Sequence, residues 1–240
     1  MEENNVSSDH VKQKSVKGVV VLTFRTFFLQ ALTLVSQLFL FAYLGAEEFG
    51  VFAIVLAVVN FLTYFSDIGL AAALIQKKDT PKLSDYRTTF TVQQFLVLSL
   101  VAVAFMFRDQ IRGYYGLDQS GMHLLYALLI SFILSSLKSI PSVILERKLE
   151  FAKLVLPQVS EQVIYNLCLV GFAYYGFGLY SFVYAVLLRS IIGLVLIYII
   201  QPWKVGFDLS ISSVKDLFKF GLPYQLNTFL ATVKDDGIKY

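Results

Sequence analysis

The sequence predicts an all-α integral membrane protein with six transmembrane helices and the start of a seventh. Apolar residues make up 57% of the 240 residues and charged residues only 15%, whereas soluble domains carry about 25% charged residues. The apolar residues form six long runs, and the charged residues lie mostly between them. A helix needs roughly 20 apolar residues to cross a bilayer. A soluble fold would have to bury six helices that are hydrophobic on every side.

The apolar runs divide the chain into a tail, a six-helix lobe and a second apolar region. We expect residues 1–15 to be a polar cytoplasmic tail, disordered or lying on the membrane surface. Residues 16–203 are predicted to form the lobe, 204–216 a cytoplasmic linker, and 217–240 the truncated start of a second lobe. The six spans are predicted at 18–44, 51–75, 90–107, 122–145, 157–175 and 178–200. The first run is too long for a cleavable signal peptide, so we expect it to remain as a span.

Basic residues alternate between the gaps, and this pattern predicts the orientation of the chain. The tail and the second, fourth and sixth gaps hold thirteen Lys and Arg residues, whereas the third gap holds only Arg108 and Arg112. Basic loops stay in the cytoplasm. The N-terminus and the even-numbered loops of this multi-pass protein are therefore predicted to be cytoplasmic.

Four of the predicted spans carry polar residues along one helical face. Each set lies within an arc of about 100° or less. In spans one, two, four and five, these sets are Thr23, Thr26, Gln30, Thr33 and Gln37; Asn60, Thr63, Tyr64 and Asp67; Ser131, Ser135, Lys138 and Ser142; and Gln158, Glu161, Gln162 and Tyr165. One interpretation is a water-filled cavity lined by these four spans, with Gln30, Gln37, Asn60 and Gln158 in its wall. The alternative is hydrogen bonding between helices that holds the bundle together.

Five ionisable residues inside the spans are the strongest candidates for a functional site. A charge at mid-membrane costs about 2.5–3.5 kcal/mol, so it needs a partner, water or a ligand. The candidates for binding an anionic group such as a phosphate are Arg25, Lys138 and Arg189, because cations bind phosphate through charge-assisted hydrogen bonds. Asp67 and Glu161 are candidates for binding a coupling H⁺ or Na⁺. Arg25 is expected to point about 120° away from the span-one stripe, and internal ion pairing is the alternative role for all five.

Several other functions are not indicated by the sequence. The single cysteine, Cys168, and the two histidines, His10 and His123, are not spaced as metal ligands, so neither a metal nor another cofactor is predicted. No nucleotide-binding loop or nucleophile motif is present, and the short loops leave no room for a catalytic domain. We therefore expect a protein that is not an enzyme and does not bind nucleic acid.

Five segments in order make the chain resemble a known family. They are "YLGAEEFGVFAIVLAVVNFL" (43–62), "SDIGLAAALIQ" (66–76), "ERKLEFAKL" (146–154), "YGFGLYSFVYAVLLRS" (175–190) and "FKFGLPYQLNTFL" (218–230). Together they resemble the N-terminal half of bacterial polysaccharide transporters, the Wzx-type oligosaccharide flippases. These belong to the multidrug/oligosaccharidyl-lipid/polysaccharide exporter superfamily.

The resemblance implies an architecture and a substrate. It implies two six-helix lobes that face each other in a V, with a central cavity open alternately to each side. It implies an oligosaccharide on undecaprenyl diphosphate as substrate, moved across the cytoplasmic membrane for O-antigen, capsule or exopolysaccharide synthesis. Arg25, Lys138 and Arg189 would hold the diphosphate. Membrane lipids, a polysaccharide polymerase and glycosyltransferases are the other expected partners.

Two questions stay open at the level of sequence. Members of the family are about twice as long, so we expect the chain to be a fragment; a half-size protein that dimerises and a decayed gene are the alternatives. Two other functions compete with the flippase. One is a cation-coupled multidrug exporter of the same superfamily, and the other is a non-transport membrane subunit of a polysaccharide-synthesis complex.

Overall fold

The structure, a computed structural model, describes residues 2–66, 69–77 and 79–210, and the regular elements in these ranges are α-helices. They are α1 (Glu2–Tyr43), α2 (Ala46–Tyr64), α3 (Leu70–Gln76), α4 (Leu83–Met106), α5 (Arg108–Tyr115), α6 (Gln119–Leu137), α7 (Ser139–Arg147), α8 (Phe151–Tyr174) and α9 (Tyr180–Ile200). The predicted all-α class is confirmed for this part of the chain. The backbone of residues 2–15 continues α1 as a helix.

Five helical stretches are long and apolar enough to cross a membrane. They are Val20–Tyr43, Ala46–Tyr64, Leu83–Met106, Gln119–Arg147 and Tyr180–Ile200. The fifth predicted span lies in α8, which has 24 residues but is not among the five. Its polar residues, among them Gln158, Glu161 and Gln162, lower its hydropathy. The chain is thus a multi-pass membrane protein, and the predicted seventh span, from Leu217, lies outside the described residues.

Two of the predicted spans are interrupted in the structure. The second is divided into α2 and α3, and Gly69 before α3 has a φ of 69°, a conformation that glycine adopts without steric cost. The fourth is divided at Lys138 into α6 and α7. Pro141 explains this break because proline has no N–H to donate to the carbonyl of Leu137 and its ring crowds that carbonyl. The hydroxyl of Tyr198 donates to the Leu137 carbonyl oxygen instead, at 3.1 Å.

The core of the bundle lies among α2, α4, α6, α8 and α9. Helix α8 packs along α9 and α1, and α6 packs against α9, α2 and α4. Fully buried apolar side chains fill the space between them, including Val55, Val97, Leu124, Leu125 and Phe182. Helix α1 is peripheral and exposes large apolar side chains such as Phe24 and Phe41, as expected for a helix that faces lipid.

The helix ends form two groups at opposite ends of the bundle. At one end, Tyr43 contacts Tyr174, with ring centroids 5.5 Å apart, and the Tyr180 hydroxyl lies 2.9 Å from Nδ1 of His123. At the other end, Nη1 of Arg147 donates to the carbonyl oxygens of Leu74, Ile75 and Lys77. The ends of α1 and α8 and the starts of α6 and α9 therefore lie at one end of the bundle, and the ends of α3 and α7 lie at the other.

The chain that follows α9 lies along the start of α4. Nε of Arg87 donates to the Lys204 carbonyl oxygen at 3.3 Å. The backbone N–H groups of Asp208 and Ser210 donate to the hydroxyls of Thr91 and Thr88. The described part of the predicted linker 204–216 thus has no regular secondary structure and is hydrogen-bonded to the lobe.

Candidate functional site

A cavity of about 370 Å³ lies between α2, α6, α8 and α9. The polar part of its wall comes from all four helices and from the break at Lys138. These polar residues are Asn60, Thr63, Ser131, Ser135, Lys138, Glu161, Tyr165, Arg189 and Ser190. Phe52, Leu56, Val59, Leu128, Phe132 and Val186 form its apolar part. A cavity with this lining, inside a bundle of membrane-crossing helices, suits a polar or amphipathic ligand.

Three ionisable side chains meet at this cavity. Nζ of Lys138 lies 2.8 Å from Oε1 of Glu161, and Nε of Arg189 lies 3.9 Å from Oε2 of the same carboxylate. The side chains of Lys138 and Glu161 are 16% and 11% exposed, and that of Arg189 is 42% exposed. The guanidinium of Arg189 also lies over the ring of Tyr165, 5.4 Å from its centroid. One carboxylate thus lies between two cations, and the three groups leave one formal positive charge.

The break in span four places Lys138 at the cavity. Because α6 ends at Leu137, Lys138 has the conformation of a turn (φ −82°, ψ −10°) rather than a place inside a continuous helix. Its backbone carbonyl still accepts a hydrogen bond from the hydroxyl of Ser142 at 2.9 Å. Pro141, which causes the break, is therefore part of the reason that the ammonium group reaches Glu161 on α8.

A smaller cavity of about 210 Å³ shares the Lys138–Glu161 pair with the first. The other residues that line it include Ser142, Pro157 and Gln158. The ion pair therefore stands between two spaces, and the predicted cavity residue Gln158 belongs to the second. Its Oε1 is buried and has no hydrogen-bond partner among the described residues.

The polar stripe of α1 lies away from the ion pair, in an open groove of about 460 Å³ between α1 and α8. Residues of this groove are Arg25, Thr26, Leu29, Gln30, Thr33, Leu34, Gln37 and Gln162. The expectation of one cavity lined by spans one, two, four and five is therefore corrected, because α9 and not α1 supplies the fourth side. Arg25 was expected to point away from the stripe, yet it lines the same groove.

The predicted site residues thus divide into three groups. Lys138, Glu161, Arg189 and Asn60 line the main cavity. Gln158 lines the smaller cavity, and Arg25, Gln30 and Gln37 line the groove on α1. Asp67 lies outside the described residues. No group of three or more His, Cys, Asp or Glu residues that would suit a metal ion occurs in the described ranges.

Two features of the interior have no counterpart in the sequence prediction. Gln93 and Gln94 are buried on α4, where they accept hydrogen bonds from the hydroxyls of Ser139 (2.5 Å) and Ser136 (3.1 Å). Their position at the start of an apolar run was the available signal. The other feature is Gly193 on α9, which faces the carboxylate of Glu161.

Hydrogen bonds between helices account for some of the predicted polar stripes. The hydroxyls of Ser131 on α6 and Ser190 on α9 lie 2.6 Å apart. Nε2 of Gln162 on α8 donates to Oγ1 of Thr33 on α1 at 3.4 Å. The two interpretations offered by the sequence therefore both apply, because some polar side chains join helices while others line a cavity.

Comparison with known proteins identifies a family. No curated protein and no solved structure shows significant similarity to the chain. The profile of a family described as polysaccharide biosynthesis protein matches residues 41–238, which is most of the chain and includes α2 to α9. This bundle of apolar helices, with charged residues at an internal cavity, belongs to the polysaccharide biosynthesis protein family.

Proposed function

We propose that the chain is the N-terminal lobe of a flippase that moves undecaprenyl-diphosphate-linked oligosaccharide across the bacterial cytoplasmic membrane. The observation that carries this proposal is the pair of cations, Lys138 and Arg189, at a cavity among membrane-crossing helices. Glu161 is the single acid among the described residues that line that cavity. Anionic ligands are favoured by this balance, and the family's role in polysaccharide biosynthesis favours a sugar carried on a lipid phosphate.

In this proposal, each part of the cavity wall binds a different part of the substrate. Lys138 and Arg189 bind the diphosphate through charge-assisted hydrogen bonds, which strengthen where water is scarce. The polar side chains of Asn60, Ser131 and Ser135 line the same cavity and contact sugar hydroxyls. The lipid chain remains in the bilayer, and the lobe rocks against a second lobe to open the cavity to each side in turn.

Glu161 supplies a means of coupling in the same proposal. Its carboxylate contacts both cations, so it competes with any anionic group for them. Binding of H⁺ or Na⁺ to Glu161 weakens its hold on the two cations and leaves them available to the diphosphate. Release of that ion restores the pairs and favours release of the substrate.

A cation-coupled drug exporter is the second candidate, and one observation favours it. The cavity wall includes the aromatic side chains of Phe52, Phe132 and Tyr165, which are suited to apolar cationic drugs. The excess of cations argues against it, because like charges repel. Drug susceptibility that changes with Glu161→Gln, while surface polysaccharide stays unchanged, would favour the exporter.

The test is a lysine substitution at the chromosomal locus. Lys138→Met removes one of the two cations but keeps an apolar side chain of similar length, so we expect surface polysaccharide to fall severely. Lys153→Met is the matched control, because Lys153 forms an exposed ion pair with Glu150 at 2.9 Å, and such pairs contribute about 0–1 kcal/mol. Wild-type polysaccharide in the Lys138→Met strain, with the protein present at normal level, would contradict the proposal.

A further inference from the structure

Gly193 lies in the interior of α9, where its Cα faces the carboxylate of Glu161 on α8. A methyl group built on Gly193 would collide with Glu161, since the three heavy atoms nearest to it are Oε1, Cδ and Cγ of that side chain. Gly193 is buried on the same face of α9 as Ser190 and Ile197. The space that a side chain at 193 would fill is therefore occupied by the acid of the cavity.

The Glu161 carboxylate is held in that space by its partners. Lys138 lies 2.8 Å from Oε1 and Arg189 lies 3.9 Å from Oε2, and the Glu161 side chain is 11% exposed. A displaced carboxylate would lose these contacts and leave a buried charge without its full set of partners, which is strongly unfavourable. A small shift of the side chain therefore does not accommodate a methyl group at 193.

A glycine inside a helix also requires a reason. Glycine destabilises a helix interior relative to alanine because it loses more backbone entropy on folding. Glycines in membrane helices commonly allow two backbones to approach closely. At Gly193, however, all three nearest atoms belong to the Glu161 side chain rather than to the backbone of α8.

We infer that Gly193 is a positioning residue that admits the carboxylate of Glu161 between Lys138 and Arg189 and so sets the charge presented by the cavity. The contact between Gly193 and the Glu161 side chain is inferred from their geometry alone. Its consequence for transport rests on the proposed function. With Glu161 in place, both cations are partly neutralised; with a methyl group at 193, the acid leaves and the cations are free to hold an anion.

The contact is tested by a double-mutant cycle on the full chain, purified in detergent, with the melting temperature as readout. In the wild-type background we expect Gly193→Ala to lower Tm. In a Glu161→Ala background the collision is absent, so the same change should leave Tm unchanged or raise it. An equal decrease in Tm in both backgrounds would contradict the inference and show that Gly193 serves helix packing.

Gly171 on α8 provides the matched control, because a methyl group built there meets nothing within 4 Å. Gly171→Ala should not lower Tm in either background. If Gly193→Ala alone cannot be purified as a folded protein, recovery of folded protein by adding Glu161→Ala supports the inference. Failure of the double variant, when Glu161→Ala alone is folded, overturns it.

Anion binding gives a readout that a packing defect alone would not move. Inorganic pyrophosphate is titrated against the purified protein, and we expect Gly193→Ala and Glu161→Gln to lower its Kd alike. Gly171→Ala should leave that Kd unchanged. A Kd that Glu161→Gln lowers but Gly193→Ala does not would contradict the positioning role.

The two proposals fail in different ways. In one outcome, Lys138→Met leaves surface polysaccharide unchanged, and Gly193→Ala lowers Tm only when Glu161 is present. The flippase proposal is then wrong, and the positioning contact stands. If Lys138→Met abolishes surface polysaccharide while Gly193→Ala acts equally in both backgrounds, the flippase stands and the positioning role is wrong.

Discussion

At the scale of residues, one carbonyl group links the break in span four to the end of α9. Pro141 cannot donate to the Leu137 carbonyl, and the hydroxyl of Tyr198 takes that role at 3.1 Å. The same hydroxyl lies 3.3 Å from Nε1 of Trp203. Tyr198 therefore satisfies a part-buried backbone carbonyl next to Lys138 and also contacts Trp203 in the chain that follows α9.

Tyr198→Phe should destabilise the protein by about 1 kcal/mol, because the Leu137 carbonyl and the Trp203 indole both lose a partner. Denaturation of the purified protein, followed by tryptophan fluorescence, measures the change. Tyr184→Phe is the control, since Tyr184 is an exposed tyrosine on the same helix. An equal effect of the two substitutions would show that the Tyr198 hydroxyl has no special role.

The sequence identifies individual site residues better than it identifies their contacts. Lys138 and Glu161 can be selected because ionisable residues are rare in apolar runs. Their pairing cannot be predicted, because they lie on different helices. A polar stripe on one helix does not show how that helix is rotated relative to its neighbours. Gly193 has no sequence signal of its own, because a glycine in an apolar run is typical of membrane helices.

At the scale of elements, the short helix α3 depends on an arginine from another helix. Four C-terminal carbonyls of a helix have no intrahelical partner. Nη1 of Arg147 on α7 donates to the carbonyls of Leu74, Ile75 and Lys77, and its Nη2 lies 3.4 Å from the Asp79 carbonyl oxygen. Arg147 thus caps α3 and ties it to α7.

Arg147→Ala should release the end of α3. Hydrogen bonds to a charged group contribute about 1.5–3 kcal/mol, so amide hydrogen exchange in residues 70–77 should become roughly tenfold faster or more. Hydrogen-exchange mass spectrometry measures this directly. Lys148→Ala is the control, because Lys148 is exposed and contacts Gln201 instead, at 3.2 Å. Unchanged exchange in residues 70–77 would exclude the capping role.

Interruptions of helices are only partly predictable. The kink near Pro141 follows from the chemistry of proline, and the break falls one turn earlier, at Lys138, because the lost hydrogen bond would have reached back to Leu137. The division of the second predicted span was not expected, because apolar residues lie on both sides of Gly69. A positive φ at that glycine can be recognised only in the structure.

At the scale of the whole molecule, the placement of charge matches the alternation of the helices. The basic residues Lys77, Arg87, Arg147 and Lys204 lie at the end where α3, α7 and the chain after α9 meet. The sequence could predict this alternation because the number of membrane-crossing helices before a loop determines the side of the membrane on which the loop lies. It could not predict that α8 packs between α1 and α9.

We predict that the basic end is cytoplasmic. Cys168 is the single cysteine, so Cys168→Ser gives a background for new cysteines. One variant carries Tyr114→Cys at one end of the bundle, where Tyr114 is 82% exposed. A second variant carries Lys148→Cys at the other end, where Lys148 is exposed. A membrane-impermeant maleimide should label Cys at 114 in intact spheroplasts and Cys at 148 only after permeabilisation. The reverse pattern would invert the orientation.

The central claim, that the charged cavity carries a lipid-linked sugar, is tested most directly by the lipid-linked oligosaccharide itself. In a Lys138→Met strain, a transport block should cause this intermediate to accumulate on the cytoplasmic leaflet, while a Lys153→Met strain resembles wild type. A subunit that supports synthesis predicts the opposite, because loss of its function would lower the intermediate. An unchanged or lowered amount in the Lys138→Met strain would contradict the account.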